Sequence, residues 1–333
     1  GEEIVATNAL YGGTYTLFSK TLPRFGVTVR FVEGSDLQQV EAAINEKTRA
    51  VFTETIGNPS LEIADIEGLA QVAHRHDVPL IVDNTFATPY LSKPIEFGAD
   101  IVVHSTTKFI GGHGTSLGGA IIDSGKFEWK ETRFPTFVRP NELIDNRSFV
   151  EAAGEKAFIA KARFELGHDL GATLSPFNAW LFIQGLESLA VRVRQHVVNA
   201  QAVAEYLAQH ELVEWVNYPT LEGNDPKKLV AKYLPKGAGS IFSFGIKGGL
   251  EAAKAFINNV QLLSHVANVG DSKSLVIHPA STSHSRLTAE QQLASGVTPG
   301  LIRLSIGLED IEDIKADLAQ SLQKAAEVAH ITK

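Results

Sequence analysis

A doubly wound α/β fold, with a mostly parallel sheet and a smaller α+β domain after it, is predicted by three observations on the 333-residue sequence. Short apolar runs alternate with amphipathic stretches through the first third. The stretches between runs are long enough to be crossover helices. Beyond residue 210, strands and helices follow in mixed order. Strand then helix, repeated, is how a chain makes parallel pairs, because two parallel neighbours need a connection of a dozen residues or more.

In chain order, IVATNA (4–9), VTVRFV (27–32), AVFTET (50–55), PLIVDNT (79–85) and DIVVHST (100–106) read as strands. DLQQVEAAIN and DIEGLAQVAHRH carry helical periodicity between them, the first with Asp36 at its N-cap. Residues 125–154 have few periodic apolar positions and several helix breakers, so an extended surface loop is expected there. From Phe177 to His210 one long helix is expected, with Pro176 in its first turn, placed to bridge two domains. SIFSFGI and LIRLSIG then read as strands, and GLEAAKAFINNV and DIEDIKADLAQSLQKAAEVA as helices. The division expected is a large domain over 1–185 and a small one over 186–333.

Composition narrows the classes of function. With 44% hydrophobic and 20% charged residues the chain can bury a large core, and it reads as a soluble globular protein. A net charge of -8 without a basic run argues against nucleic-acid partners. No apolar stretch approaches the ~18 residues of a membrane helix, so a cytoplasmic protein without a membrane partner is expected. Cysteine is absent, which excludes disulfides, thiolate metal sites and a cysteine nucleophile. Methionine is absent as well, and the chain opens on Gly1-Glu2-Glu3-Ile4. Both features point to a start in mid-domain and to an engineered, sulfur-depleted sequence.

Ligands of open parallel sheets sit outside the carboxyl ends of the strands. Asp83 lies at such an end, Ser105, Thr107 and Lys108 at another, and Glu54 and Asn58 after a third. Singly, each has a plain structural reading: a turn aspartate, a solvated loop, a capping residue. Together they describe a chemistry. A lysine amine becomes a nucleophile when burial or a neighbouring cation removes its proton, and it then condenses with a carbonyl. Hydroxyls beside it can bind a phosphate, and a buried acid can pair with a protonated ring nitrogen, making the ring an electron sink. That set fits pyridoxal 5'-phosphate. His74 and His76, two apart on a helix, face different sides and make a poor metal pair, so no metal site is expected. GGHGTSLGG lacks the lysine-hydroxyl ending of a nucleotide loop and reads as a turn where backbone passes close to the cofactor.

The motifs YGGTYTLF, ETIGNPSLEIADI, LIVDNTFATPYLSKPIEFGADIVVHSTTKFIGGHGTSLGG, SPFNAWLFIQGLESLAVR and SLVIHPASTSHSRL…GVTPGLIRLSIGLED resemble the cysteine and methionine metabolism family of fold-type I pyridoxal phosphate enzymes, over nearly the whole chain. The resemblance implies the aspartate aminotransferase-like fold, with a cofactor-binding large domain. It implies that Lys108 is the Schiff-base lysine and proton shuttle, that Asp83 holds the pyridine nitrogen and that Tyr11 stacks on the ring. Ser105 and Thr107 would bind the cofactor phosphate, Asn58 would lie near the ring hydroxyl, and Arg303, helped by Ser274, would grip the substrate carboxylate. The implied activity is a γ-replacement on O-acetylhomoserine in which sulfide or methanethiol displaces acetate, giving homocysteine or methionine. Cystathionine γ-synthase, γ-lyase or methionine γ-lyase activity, or a scaffold without turnover, are the alternatives. The implied assembly is a dimer of dimers.

Overall fold

The computed structural model describes residues 1–221, 227–283, 285, 288–294 and 296–330. The chain forms two compact units. The first comprises Gly1–Asn58, Glu62–Ser105 and Gly118–Trp180, and the second Pro59–Leu61, Thr106–Leu117 and Leu181–Lys333. Of the motif SLVIHPASTSHSRL, His284, Arg286 and Leu287 lie outside the described residues.

The first unit is built on β1 (Glu3–Thr7), β2 (Thr28–Val32), β3 (Thr48–Glu54), β4 (Leu80–Asp83), β5 (Ile101–Ser105) and β6 (Gly119–Asp123), in the order β2-β1-β3-β4-β5-β6. Every neighbouring pair is parallel except β5–β6. The five expected strands are all present, so the mostly parallel sheet is observed. In β3 every residue except Arg49 is buried, as befits a strand covered on both faces. The antiparallel β6 was not anticipated. Its glycine-led sequence GAIID exposes three of five residues and offers no alternation to read.

Local chemistry sets the helix ends. Asp36 accepts hydrogen bonds from the backbone N–H groups of Gln38 and Gln39, both at 3.0 Å, and so starts the helix Leu37–Ala43 as the N-cap expected of it. The helix Ile66–Arg75 buries Ile66, Leu69, Ala70, Val72 and Ala73, one continuous face.

Residues 125–154 correct an expectation. They hold the short helices Pro135–Val138 and Phe149–Ala153 and a 3-10 turn at Glu142–Ile144. Ser148 and Glu151 form a reciprocal capping box on the second helix. Trp129 stacks on Phe137 at 4.1 Å with an interplanar angle of 8°, and Phe127, Phe134 and Phe158 close round it. The apolar residues here are gathered by ring contact rather than along one helix face, which is why no helical period marks them.

The second unit carries β7 (Val213–Asn217), β8 (Ile241–Ile246), β9 (Ser264–His265), β10 (Leu275–Ile277) and β11 (Leu301–Ser305), ordered β7-β8-β11-β10-β9. All pairs are antiparallel except β9–β10. Helices Gly249–Asn259 and Ile311–Val328 pack against each other, giving the α+β character expected of this part. The long helix runs from Pro176 to Ala208, within two residues of expectation at each end. Among the described residues no helix is long and apolar enough to cross a membrane.

Candidate active site

In the first unit the carboxyl ends of β3, β4 and β5 set three groups along one edge. Glu54 and Asp83 are register partners on adjacent parallel strands, so their side chains leave the same face. Asp83 Oδ1 accepts hydrogen bonds from the Thr85 N–H at 2.9 Å and the Thr85 hydroxyl at 2.5 Å. Thr85 Oγ1 in turn accepts the Ser105 N–H at 2.8 Å. Burial pushes the Asp83 carboxyl above its ordinary pKa, and the two bonds from Thr85 oppose that rise. The second carboxylate oxygen of Asp83 accepts no hydrogen bond among the described residues, so it can take a donor or cation brought to this edge.

Glu54 is more strongly affected. Burial raises its pKa well above the usual range and the Asp83 charge adds to the rise, while the Tyr11 N–H, donating to Oε1 at 2.7 Å, works against it. Tyr11 is thus tethered by its backbone, and its ring, 54% exposed, lies over Gly13 rather than in the core. Asn58 is buried, and its side chain makes no hydrogen bond among the described residues. One residue before Ser105, His104 is buried with Nδ1 unpartnered, and burial lowers its pKa to about 4.

In the second unit the chain turns tightly after β5. The Gly111 N–H donates to the Thr106 carbonyl and the Gly112 N–H to the Lys108 carbonyl, both at 2.8 Å. Lys108 Nζ donates to Asn268 Oδ1 at 2.6 Å. Burial is the larger cause and the Arg303 charge the smaller by which the Lys108 amine loses its proton more readily than a free lysine. Arg303 sits at the centre of β11, paired with Ile277 on one side and Ser243 on the other. Ser274 is fully buried just before β10. Its hydroxyl donates to Glu309 Oε2 at 2.8 Å and accepts the Gly307 N–H at 2.9 Å.

The first unit therefore brings Asp83, Ser105 and, through Glu54, Tyr11 to one edge. The second brings Lys108 and Arg303 within electrostatic reach, with Thr107 next to Lys108 in the chain. Ser274 is committed to Glu309 and Gly307. The sequence did not reveal Thr85, Asn268 or Glu309. Thr85 had a weak signal, standing two residues after a strand-end acid, but nothing marks Asn268, which is 160 residues from its partner. His74 is exposed and His76 partly so, and each has an acidic neighbour: His74 Nε2 lies 2.8 Å from Asp100 Oδ2 and His76 Nε2 lies 3.1 Å from Glu41 Oε1.

An amine that burial and a neighbouring guanidinium make easier to deprotonate suits carbonyl chemistry. An acid at a strand end of an open parallel sheet and a lysine suited to condense with a carbonyl are each features of cofactor-dependent enzymes of amino-acid metabolism. Comparison with known proteins narrows the class. The family model for Cys/Met metabolism pyridoxal-phosphate-dependent enzymes matches residues 1–323, and the chain belongs to that family. It is 50% identical over 328 residues to the homocysteine synthase of Schizosaccharomyces pombe, covering 98% of this chain and 76% of that one. It is 49% identical over 332 residues to the O-acetyl-L-homoserine sulfhydrylase of Leptospira meyeri, covering 97% and 75%. A crystal structure described as an O-acetylhomoserine (thiol)-lyase of Campylobacter jejuni, carrying N'-pyridoxyl-lysine-5'-monophosphate, superposes with a TM-score of 0.92 at 42% identity. That match covers 97% of this chain and 77% of the other.

Proposed function

We propose that this chain catalyses a pyridoxal-phosphate-dependent γ-replacement on O-acetylhomoserine, in which sulfide, or a thiol such as methanethiol, takes the place of acetate and yields homocysteine or methionine. The reading is carried by the Lys108 amine, desolvated and beside Arg303, in a chain about half identical to proteins named for that reaction. The residues present fit the cofactor: an amine that gives up its proton more readily than a free lysine, an acid with a free oxygen, and hydroxyls at Ser105 and Thr107 close to Lys108 in sequence. Pyridoxal phosphate, when bound, supplies an aldehyde for the substrate amine and a ring that withdraws electrons from the adjacent carbons.

The protein's own groups do the rest. The Lys108 amine would take the proton from the substrate α-carbon, hand it on, and, neutral again, take one from the β-carbon, two atoms that one long side chain can reach in turn. Burial raises the pKa of Asp83, and a positive group against it, such as a protonated pyridine nitrogen, would favour its ionised form. Ser105 and Thr107 would bind the phosphate, Asn58 the ring hydroxyl, and Tyr11 the ring face. The Arg303 guanidinium would hold the substrate carboxylate by two parallel hydrogen bonds. Ser274, its hydroxyl already engaged, would serve that carboxylate only as a positioning residue, by fixing the start of β10. We assign cofactor binding to a large domain over residues 1–185 and a small-domain role to 186–333. We further infer a cytoplasmic dimer of dimers.

The test is direct. Added pyridoxal phosphate should give a visible absorption band that Lys108→Ala loses, and O-acetylhomoserine with sulfide should give homocysteine and acetate. Release of 2-oxobutanoate from methionine or cystathionine without sulfide would replace this reading with a lyase, and a band without turnover would leave a scaffold. Light scattering on the loaded protein checks the assembly.

A further inference from the structure

The turn that carries Lys108 ends against a buried arginine to which the reaction above gives no task. Within that turn the carbonyls of Phe109 and Ile110 receive no backbone donor. Arg192, 7% exposed, supplies both: Nη1 donates to the Phe109 carbonyl at 2.7 Å and Nη2 to the Ile110 carbonyl at 3.2 Å. Nη2 also donates to the Gly185 carbonyl at 2.7 Å, and Nε to Ser188 Oγ at 3.0 Å. No carboxylate pairs with Arg192 among the described residues. A buried guanidinium without a counter-ion costs desolvation, which only several good hydrogen bonds offset.

Two glycines make room for this contact. Gly112 has φ +73°, and a Cβ there would lie 2.4 Å from Arg192 Nη1; a Cβ on Gly185 would lie 2.1 Å from the Ile110 carbonyl oxygen. Gly185 and Arg192 are seven residues apart on the long helix and so share one face. Gly112, expected to clear backbone for a cofactor, clears space for a guanidinium.

We propose that Arg192 is a positioning residue for the reaction: it clamps the carbonyl end of the Lys108 turn to the helix Pro176–Ala208 and so fixes the direction in which the Lys108 side chain leaves the backbone. The fork geometry matters, because one planar group reaches three carbonyls that an ammonium cannot span. The inference rests on the reading of Lys108 given above.

The experiment compares the full chain, loaded with pyridoxal phosphate, with Arg192→Gln and Arg192→Lys. It reads the pH midpoint of the Lys108-dependent visible band, kcat and KM separately, and the thermal midpoint. A lysine displaced by about 1 Å loses on the order of 10²-fold in kcat, so Arg192→Gln should fall by that much with little change in KM and should shift the band midpoint. Arg192→Lys should keep the fold yet recover only a small part of kcat. The proposal is overturned if the variants lose thermal stability alone, with kcat and band midpoint at parental values, or if Arg192→Lys restores the parent. Should Arg192→Gln fail to fold, Arg192→Lys, which retains the buried charge, decides by the same two readouts. A parent without a Lys108-dependent band sinks the functional reading and this inference with it. A parent with the band and unmoved variants removes this inference alone.

Discussion

Adding one methyl group at Gly185 tests a close approach between the long helix and the turn that carries Lys108. The Ile110 carbonyl oxygen would stand 2.1 Å from the new Cβ of Gly185→Ala, against about 3.4 Å for ordinary contact, so helix and turn must separate by about 1.3 Å. The obstacle is backbone on both sides, which has no rotamer to change. Overpacking of this kind costs about 1–3 kcal/mol, and the hydrogen bonds from Arg192 Nη2 to Gly185 and Ile110 stretch at the same time. The expected total is therefore about 3 kcal/mol of stability. Because the turn carries Lys108, kcat should also fall on the order of 10²-fold. Urea unfolding followed by tryptophan fluorescence, together with steady-state turnover of O-acetylhomoserine and sulfide, measures both. A Gly185→Ala protein with the parental urea midpoint and kcat would show that helix and turn are not held at this distance in solution.

Other expectations concern stability. His196, fully buried with Nδ1 2.6 Å from the Ile306 carbonyl, has its pKa lowered to about 4, and His104 likewise. The unfolded chain binds protons from about pH 6.5 downward and the folded chain only near 4. Each histidine's contribution is therefore intact above 6.5 and is lost as pH falls toward 4, at up to about 1.4 kcal/mol per pH unit. The urea midpoint should fall between pH 7 and pH 5 less steeply in His196→Gln than in the parent; equal slopes would reject the assignment. Asp317 accepts the N–H groups of Gln261, Leu262 and Leu263 at 2.8, 2.9 and 3.0 Å, so Asp317→Ala orphans three donors. It should cost about 3 kcal/mol or more, read as a lowered thermal midpoint, whereas a change within 0.5 kcal/mol, roughly that of a surface substitution, would mean water replaces the carboxylate.

What the sequence disclosed, and what it withheld, follows from the range of the interactions. The parallel strands were legible because short, largely apolar runs recur between helical stretches, and Asp83 and Lys108 because polar groups at the ends of such runs stand out. Asp36 was legible as a cap because its partners are two and three residues away. Arg192 was not, since its partners Phe109 and Ile110 lie 83 and 82 residues back, and a charged residue amid apolar helix positions gives no hint of which carbonyls it meets. The cluster around Trp129 was hidden for a different reason: ring stacking imposes no sequence period, so a segment with a packed aromatic centre read as open loop. The commitment of Ser274 to Glu309 depends on a residue 35 positions away and could emerge only from the folded chain.

The hydroxyl of Thr85 has a consequence for tolerance. It gives its single proton to Asp83 and receives the N–H of Ser105, so one oxygen atom is the common fixing point of two strand ends. The positional errors of the carboxylate and of the Ser105 amide are then correlated rather than independent, and a drift of one carries the other with it. A Thr85→Ser change keeps the joint, whereas Thr85→Val, although nearly the same size, breaks it: the Ser105 N–H loses its acceptor and Asp83 Oδ1 keeps only the backbone N–H of residue 85.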